Sequence, residues 1–188
     1  MQDLSLHILD IAENSIEAQA TRIEIRVEEN QSQDLLALEI TDNGWGMDEE
    51  MIRQVRDPFV TTKKTRRVGL GLPLLAEAAR AANGSLDLES WKGKGTRVRA
   101  TFQLSHIDLK PLGDIAQTLV TLIIGHPGVD ILYTHRVDGS EYQLDTKEIK
   151  AQLDGIPIQA PEVLKIIKNN IQEGLDQLRR QNEPRKSL

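Results

Sequence analysis

Three stretches of the first 104 residues alternate apolar and polar side chains with a period of two, and that pattern constrains the fold more than anything else in the chain. Residues 22–28, Arg-Ile-Glu-Ile-Arg-Val-Glu, alternate strictly, and Leu36, Leu38 and Ile40 repeat the rhythm. Val98, Ala100, Phe102 and Leu104 mark the third over 96–104, and a further strand is expected near 85–90. Period two puts one set of side chains on one face of a strand and the other set in water. Helix-period segments separate these strands. Leu6, Leu9, Ala12 and Ile16 predict an amphipathic helix over 4–19, and a short helix over 48–56 is entered at Asp48. Leu72 to Ala82 reads as a strong helix, with Pro73 in its first turn and Asn83-Gly84 as its stop. Strands joined mostly as hairpins, with interleaved helices, imply an α+β fold, a two-layer α/β sandwich and not a doubly wound parallel sheet.

After residue 104 the pattern changes. An apolar helix is expected over 111–124, closed by Gly125 and Pro127. Two strands, 129–137 and 141–145, follow, turning through Asp138-Gly139. Thr146 is placed to cap a short helix, and Pro161 opens a longer one carrying Val163, Leu164, Ile167, Ile171, Leu175 and Leu178. From Arg179 the polar sequence is expected to fray. The reading is therefore a domain over 1–104, an accessory helix-hairpin-helix segment over 105–180, and a disordered tail over 181–188. The apolar helix faces of the accessory segment suit docking on the sandwich, or a partner or homodimer surface.

Composition narrows the function class. The chain has 188 residues, 39% hydrophobic and 28% charged, enough to bury a core. A net charge of -6 argues against nucleic acid or an anionic membrane as partner. Cysteine is absent, which excludes disulfides, thiolate metal sites and cysteine catalysis. No signal peptide is visible, and the apolar run at 119–124 is too short to span a bilayer, so a cytoplasmic location is expected.

Four motifs sit where these elements meet. On the first helix Asp10, Glu13, Asn14 and Glu17 share one stripe. Taken alone that is a solvated face, but the Asn14 oxygen is also a hard ligand suited to magnesium. Asp10, one turn earlier, is placed to orient or deprotonate a water. At the end of the second strand comes Asp42-Asn43-Gly44-Trp45-Gly46-Met47. A carboxylate accepts from the amine of adenine, glycines let the backbone approach a flat base, and Met47 offers a soft apolar surface. Read alone, this segment is a turn. The loop Thr61 to Gly71 carries Lys63, Lys64, Arg66 and Arg67, then Gly69-Leu70-Gly71 before a helix start, an arrangement that presents N–H groups and charge to an anion. Last, Gly93-Lys94-Gly95-Thr96 enters a strand, with the Thr96 hydroxyl in reach of Asp42 across the sheet.

In this order the motifs resemble those of the Bergerat-fold ATPases, the superfamily of gyrase, Hsp90, histidine kinases and MutL. The resemblance spans about residues 4–104. Asp57 to Lys63 adds a likeness to the Phe-x-Thr-x-Lys element of histidine kinases, and Glu13 to Ala18 with Ala20 to Ile23 is similar to the MutL first box. The resemblance implies ATP and Mg2+ as cofactors. Asn14 would hold the metal, Asp42 would read adenine, and Gly44, Gly46 and Met47 would line the base. Thr62, Lys63, Gly69, Leu70, Gly71 and Leu72 would surround the phosphates, and Thr96 would support Asp42. Hydrolysing members often have glutamate where this chain has Asp10, which sets the carboxylate back by roughly 1.5 Å. A displacement of that size can cost on the order of a hundredfold in rate, so slow turnover or none is expected. The neighbours of His7 do not match a phosphoacceptor box, and His7 is expected on a polar face or locally bonded. The whole chain also resembles small ATP-binding proteins encoded beside hydrogenase subunits in anaerobic bacteria. The expected function is an adenine-nucleotide switch with a protein partner. The alternatives are a kinase acting in trans, on serine or on a histidine of another chain, and a non-catalytic interaction module.

Overall fold

The structure, a computed structural model, describes residues 3–56 and 71–182. Its strands are β1 (Arg22–Asn30), β2 (Leu35–Asp42), β3 (Leu86–Trp91), β4 (Gly95–Gln103), β5 (Asp130–Val137) and β6 (Ser140–Asp145). They form one mixed sheet in the order β3-β4-β2-β1-β5-β6. All neighbours are antiparallel except β1 and β5, which run parallel. The helices are α1 (Leu4–Glu17), α2 (Glu49–Arg56), α3 (Gly71–Ala81), α4 (Ile115–Gly125), α5 (Thr146–Gln152) and α6 (Pro161–Asn182).

The alternation in the sequence becomes a continuous apolar row across all six strands. Leu88, Val98, Ile40, Ile25, Tyr133 and Leu144 lie side by side in register, and every one is buried. α1, α3, α4 and α6 cover this face and join the same core. The expected two-layer sandwich is the observed architecture. On the other face Asp145, Arg22, Glu24, Arg26, Glu39, Arg97 and Glu89 form a chain of ion pairs, with Asp145–Arg22 at 3.0 Å and Arg97–Glu39 at 2.7 Å. Burial would raise the Asp145 carboxyl, but the bond and charge of Arg22 and the N–H of Lys147 hold it below the usual range. Most of these pairs face solvent, where each contributes about 0–1 kcal/mol.

The segment after residue 104 is built onto the same sheet. β5 extends it beyond β1, and α4 packs on α1. The first N–H groups of a helix lack partners within it; in α1, Leu4 N donates to Pro111 O (2.9 Å) and Ser5 N to Leu112 O (2.8 Å). Pro111 and Leu112 thus cap α1, and α4 starts at Ile115 with Asp114 as N-cap, later than the periodicity predicted. Thr146 is not the cap of α5. Asp145 is, and the Thr146 hydroxyl accepts from Ile131 N at 2.8 Å inside the core. α6 runs to Asn182, past the expected fraying point.

α1 is covered by the sheet and also by α3 and α4, so its buried face is wider than one stripe. Leu4, His7, Ile8, Ile11, Ala12 and Ser15 are buried, whereas Leu6 is exposed. His7 is neither on a polar face nor locally bonded: it is 1% exposed, and both ring nitrogens lack a hydrogen-bond partner among the described residues. Burial, together with the charge of Lys110, pushes its pKa down. No described helix is long and apolar enough to cross a membrane.

Candidate functional site

β2 sends Leu36, Leu38 and Ile40 toward the helices, and the same parity carries Asp42 inward. A carboxylate only 8% exposed requires donors, and among the described residues it has three. Oδ1 accepts from Gly44 N (2.8 Å) and Thr96 N (3.3 Å), and Oδ2 accepts from Ser15 Oγ (2.7 Å). A carboxylate offers about four acceptor positions, so one position on Oδ2 is left.

Asp42 lines a cavity of about 800 Å³. α1 supplies Ile11, Asn14, Ser15 and Glu17, its C-cap Ala18 follows, and β2 and β4 supply Ile40, Asp42, Thr96 and Val98. Trp45, Gly46, Met47 and Asp48 close one side, with Met51 of α2, Leu72 of α3, and Lys92 and Gly93 of the β3–β4 turn. The walls are mostly apolar with a few convergent polar groups, as small-molecule sites are.

The loop after β2 is fixed from both ends. Asn43 Oδ1 accepts from Thr21 N and Arg22 N, both at 2.9 Å, and Trp45 N donates to Ala18 O at 3.0 Å. Gly93 N donates to Trp45 O at 2.6 Å. Gly46 has φ +64°, and a Cβ there would lie 2.1 Å from Trp91 O, so the close packing of loop and turn requires glycine.

The stripe read on α1 is divided among different partners. Glu13 pairs with His126 at the end of α4 (3.0 Å). Asn14 walls the cavity, and its Nδ2 is buried with no partner. Asp10 is not among the cavity walls. It lies against the first residue of α3, where a Cβ on Gly71 would come 1.9 Å from Asp10 Oδ2. Leu72 enters the cavity wall. Thr62, Lys63, Gly69 and Leu70, and the segment Asp57 to Lys63, lie outside the described residues.

The reading of Thr96 requires a correction. Its hydroxyl does not reach Asp42; it bonds Ser90 Oγ at 2.8 Å, and the backbone N–H contacts the carboxylate. Register is the cause, because β3 sets Ser90 directly opposite Thr96 while Asp42 closes the neighbouring strand. Sequence reasoning also missed Ser15. The signal was available, since Ser15 lies one residue from Asn14 and four from Ile11, on the buried side of α1.

Comparison with known proteins identifies the family of the first part of the chain. The family model described as histidine kinase-, DNA gyrase B-, and HSP90-like ATPase matches residues 2–106. Sensor protein kinase FleS of Pseudomonas aeruginosa is 38% identical over 110 residues, which are 58% of this chain and 27% of that protein. Signal transduction histidine-protein kinase AtoS of Escherichia coli is 35% identical over 108 residues, 57% of this chain and 17% of that one. The chain thus spans well under a third of the length of these curated relatives. Among solved structures, the N-terminal domain of a DNA repair protein superposes with a TM-score of 0.52 at 16% identity, covering 77% of this chain and 53% of the other. That likeness concerns the fold, and it takes in more of the chain than the family model does.

Proposed function

We infer the function from one premise: this chain belongs to the histidine kinase-, DNA gyrase B-, and HSP90-like ATPase family. As in that family, the ligand is an adenine nucleotide. The observation that carries the site assignment is the single open acceptor position on Asp42 Oδ2, at the wall of an apolar cavity. An exocyclic amine fits it, and the keto oxygen of guanine does not. On this reading Met47, Ile40 and Val98 contact the base, with Gly44 and Gly46 shaping the loop beside it. Gly71 and Leu72, with Thr62, Lys63, Gly69 and Leu70, receive the phosphates near the N-terminus of α3, where unpaired N–H groups favour an anion.

The residues present fit a magnesium ion bridged by the nucleotide. Asn14 has an unsatisfied buried amide at the cavity wall, and a half-turn of that amide exchanges its nitrogen for its oxygen. Among the described residues no cluster of three His, Cys, Asp or Glu forms a protein-built metal site, which suits an ion held largely by phosphates and water. When bound, the ion would neutralise phosphate charge; Asn14 would be its protein ligand.

On this reading Asp10, beside Gly71 at the start of α3, would hold or take a proton from a water. Its short side chain suits slow turnover, so we assign the protein a regulatory role in which nucleotide state changes the loop 61–71 and, through α1 and α4, the segment 105–180. Residues 1–104 are then the nucleotide-binding part and 105–180 the part that a protein partner, or a second copy, reads. A second reading, phosphoryl transfer in trans to another protein, is supported by the kinase relatives, of which this chain matches only a part.

The deciding experiment is a magnesium-ATP titration followed by Trp45 emission in a Trp91→Phe background, with released phosphate measured in the same samples. Trp45 is half-exposed at the cavity wall and should report occupancy. Saturable change with ATP and little with GTP is expected. If millimolar magnesium-ATP gives neither an emission change nor a melting shift, the domain is a non-catalytic interaction module. Labelled phosphate appearing on a candidate partner would establish the second reading.

A further inference from the structure

Ser90 lies on β3 behind the cavity, is 7% exposed, and is not one of the cavity walls. Its hydroxyl nevertheless makes three contacts: Met47 N at 2.8 Å, Gly95 O at 3.1 Å and Thr96 Oγ1 at 2.8 Å. A hydroxyl has one hydrogen to donate and two lone pairs. Met47 N–H can only donate, so Ser90 accepts from it. Gly95 O can only accept, so the Ser90 hydrogen goes there. The remaining contact then has one solution, with Thr96 donating its hydrogen to Ser90.

This fixes the polarity of the site. Thr96 walls the cavity, and with its hydrogen committed behind it, its oxygen has only lone pairs to offer a ligand. The open position on Asp42 is also an acceptor. Both polar groups on this side therefore accept and do not donate. Through Met47 N, the same hydroxyl ties the loop after β2 to β3, next to the tie from Gly93 N to Trp45 O.

We propose that Ser90 is a positioning residue for base selectivity: it holds the Thr96 hydroxyl as an acceptor and so favours a 6-amino purine over a 6-oxo purine. The proposal rests on the adenine-nucleotide reading of the cavity. Without Ser90, the Thr96 hydroxyl is free to rotate and donate, and a 6-oxo group becomes acceptable.

The test uses the full chain as wild type, Ser90→Ala and Ser90→Thr, titrated with ATP and with ITP and followed by Trp45 emission. The quantity read is the ratio of the ITP to the ATP dissociation constant. Ser90→Ala should lower this ratio about tenfold, the discrimination that one hydrogen bond supports, and Ser90→Thr should restore it. A general loosening of the fold would weaken both ligands and leave the ratio alone. An unchanged ratio in a folded Ser90→Ala protein overturns the proposal. Should Ser90→Ala fail to fold, Thr96→Val decides. It removes the acceptor while leaving the Ser90 bonds to Met47 and Gly95, and it too must lower the ratio, with no change overturning the proposal. A wild-type protein that binds neither nucleotide refutes the adenine reading itself, a distinguishable result.

Discussion

Replacing Asp42 by asparagine alters one acceptor and keeps the shape. In the free protein the asparagine Oδ1 can keep the bonds from Gly44 N and Thr96 N. Its Nδ2 then faces Ser15, whose hydroxyl can turn its hydrogen to Ile11 O, already at 3.2 Å, and accept from the amide. No buried group loses its partner, and the cost is the charge assistance of these bonds, about 1 kcal/mol. For a chain of this size that lowers Tm by about 2–4 °C. The ligand meets a larger change. The open acceptor becomes an N–H, so the adenine amine loses a charged bond, about 1.5–3 kcal/mol, and faces a donor instead. ATP should weaken by roughly two powers of ten. ITP, whose 6-oxo group accepts from the new amide, should gain or hold. Calorimetric titration of both nucleotides, with thermal melts of each protein, measures every quantity in this account. Parallel losses for ATP and ITP, or an ATP loss under about threefold in a folded variant, would refute the assignment of Asp42 to the base.

Three further outcomes follow from named contacts. Asp10→Asn should leave ATP affinity within about threefold and reduce phosphate release by about a hundredfold, the usual contribution of a positioned base; unchanged release would remove Asp10 from the chemistry. Gly46→Ala places a Cβ against Trp91 O at a positive φ. It should cost about 2–3 kcal/mol, or about 4–12 °C of Tm, and a melt within 1 °C of wild type, taken as about the limit of a trivial change, would contradict the packing of loop against turn. His7 has a folded-state pKa held down by burial, so below the ordinary value of 6.5 the unfolded chain binds the extra proton. The stability from burying the neutral ring is present above that value and is lost as pH falls toward the folded pKa, with a slope of at most about 1.4 kcal/mol per pH unit. Denaturation midpoints between about pH 7.5 and 5 should slope less in His7→Leu than in wild type, and equal slopes would mean that water reaches the ring.

Much of this was legible in the chain because it depends on local physics. The inward parity of Ile23, Ile25, Leu38, Ile40, Val98 and Ala100 is a period-two pattern that burial away from water enforces. The loop residues Gly44 and Gly46 and the stop at Asn83-Gly84 are readable for the same reason, since backbone conformation depends on a residue and its neighbours. Less of the site was legible than of the fold. Asp10, Glu13 and Asn14 look equivalent on a helical wheel, yet one lies against Gly71, one pairs with His126 and one walls the cavity. Nothing in residues 10–14 states which element will lie over each.

The sequence by itself determined the two-layer sandwich, the order of its elements in residues 4–104, and a carboxylate at the end of a strand beside glycines. Only the tertiary structure decided which atoms meet that carboxylate. Ser15 arrives from a helix 27 positions away, and the Thr96 backbone, not its hydroxyl, makes the cross-strand bond because register commits the hydroxyl to Ser90. It also decided that β5 pairs with β1, which places the segment after residue 104 on the same sheet and α4 against the helix that carries Asn14. Strand order and register are set by the total burial of many distant residues at once. A hydrogen bond a few ångströms long depends on that sum, and no local stretch of the chain contains it.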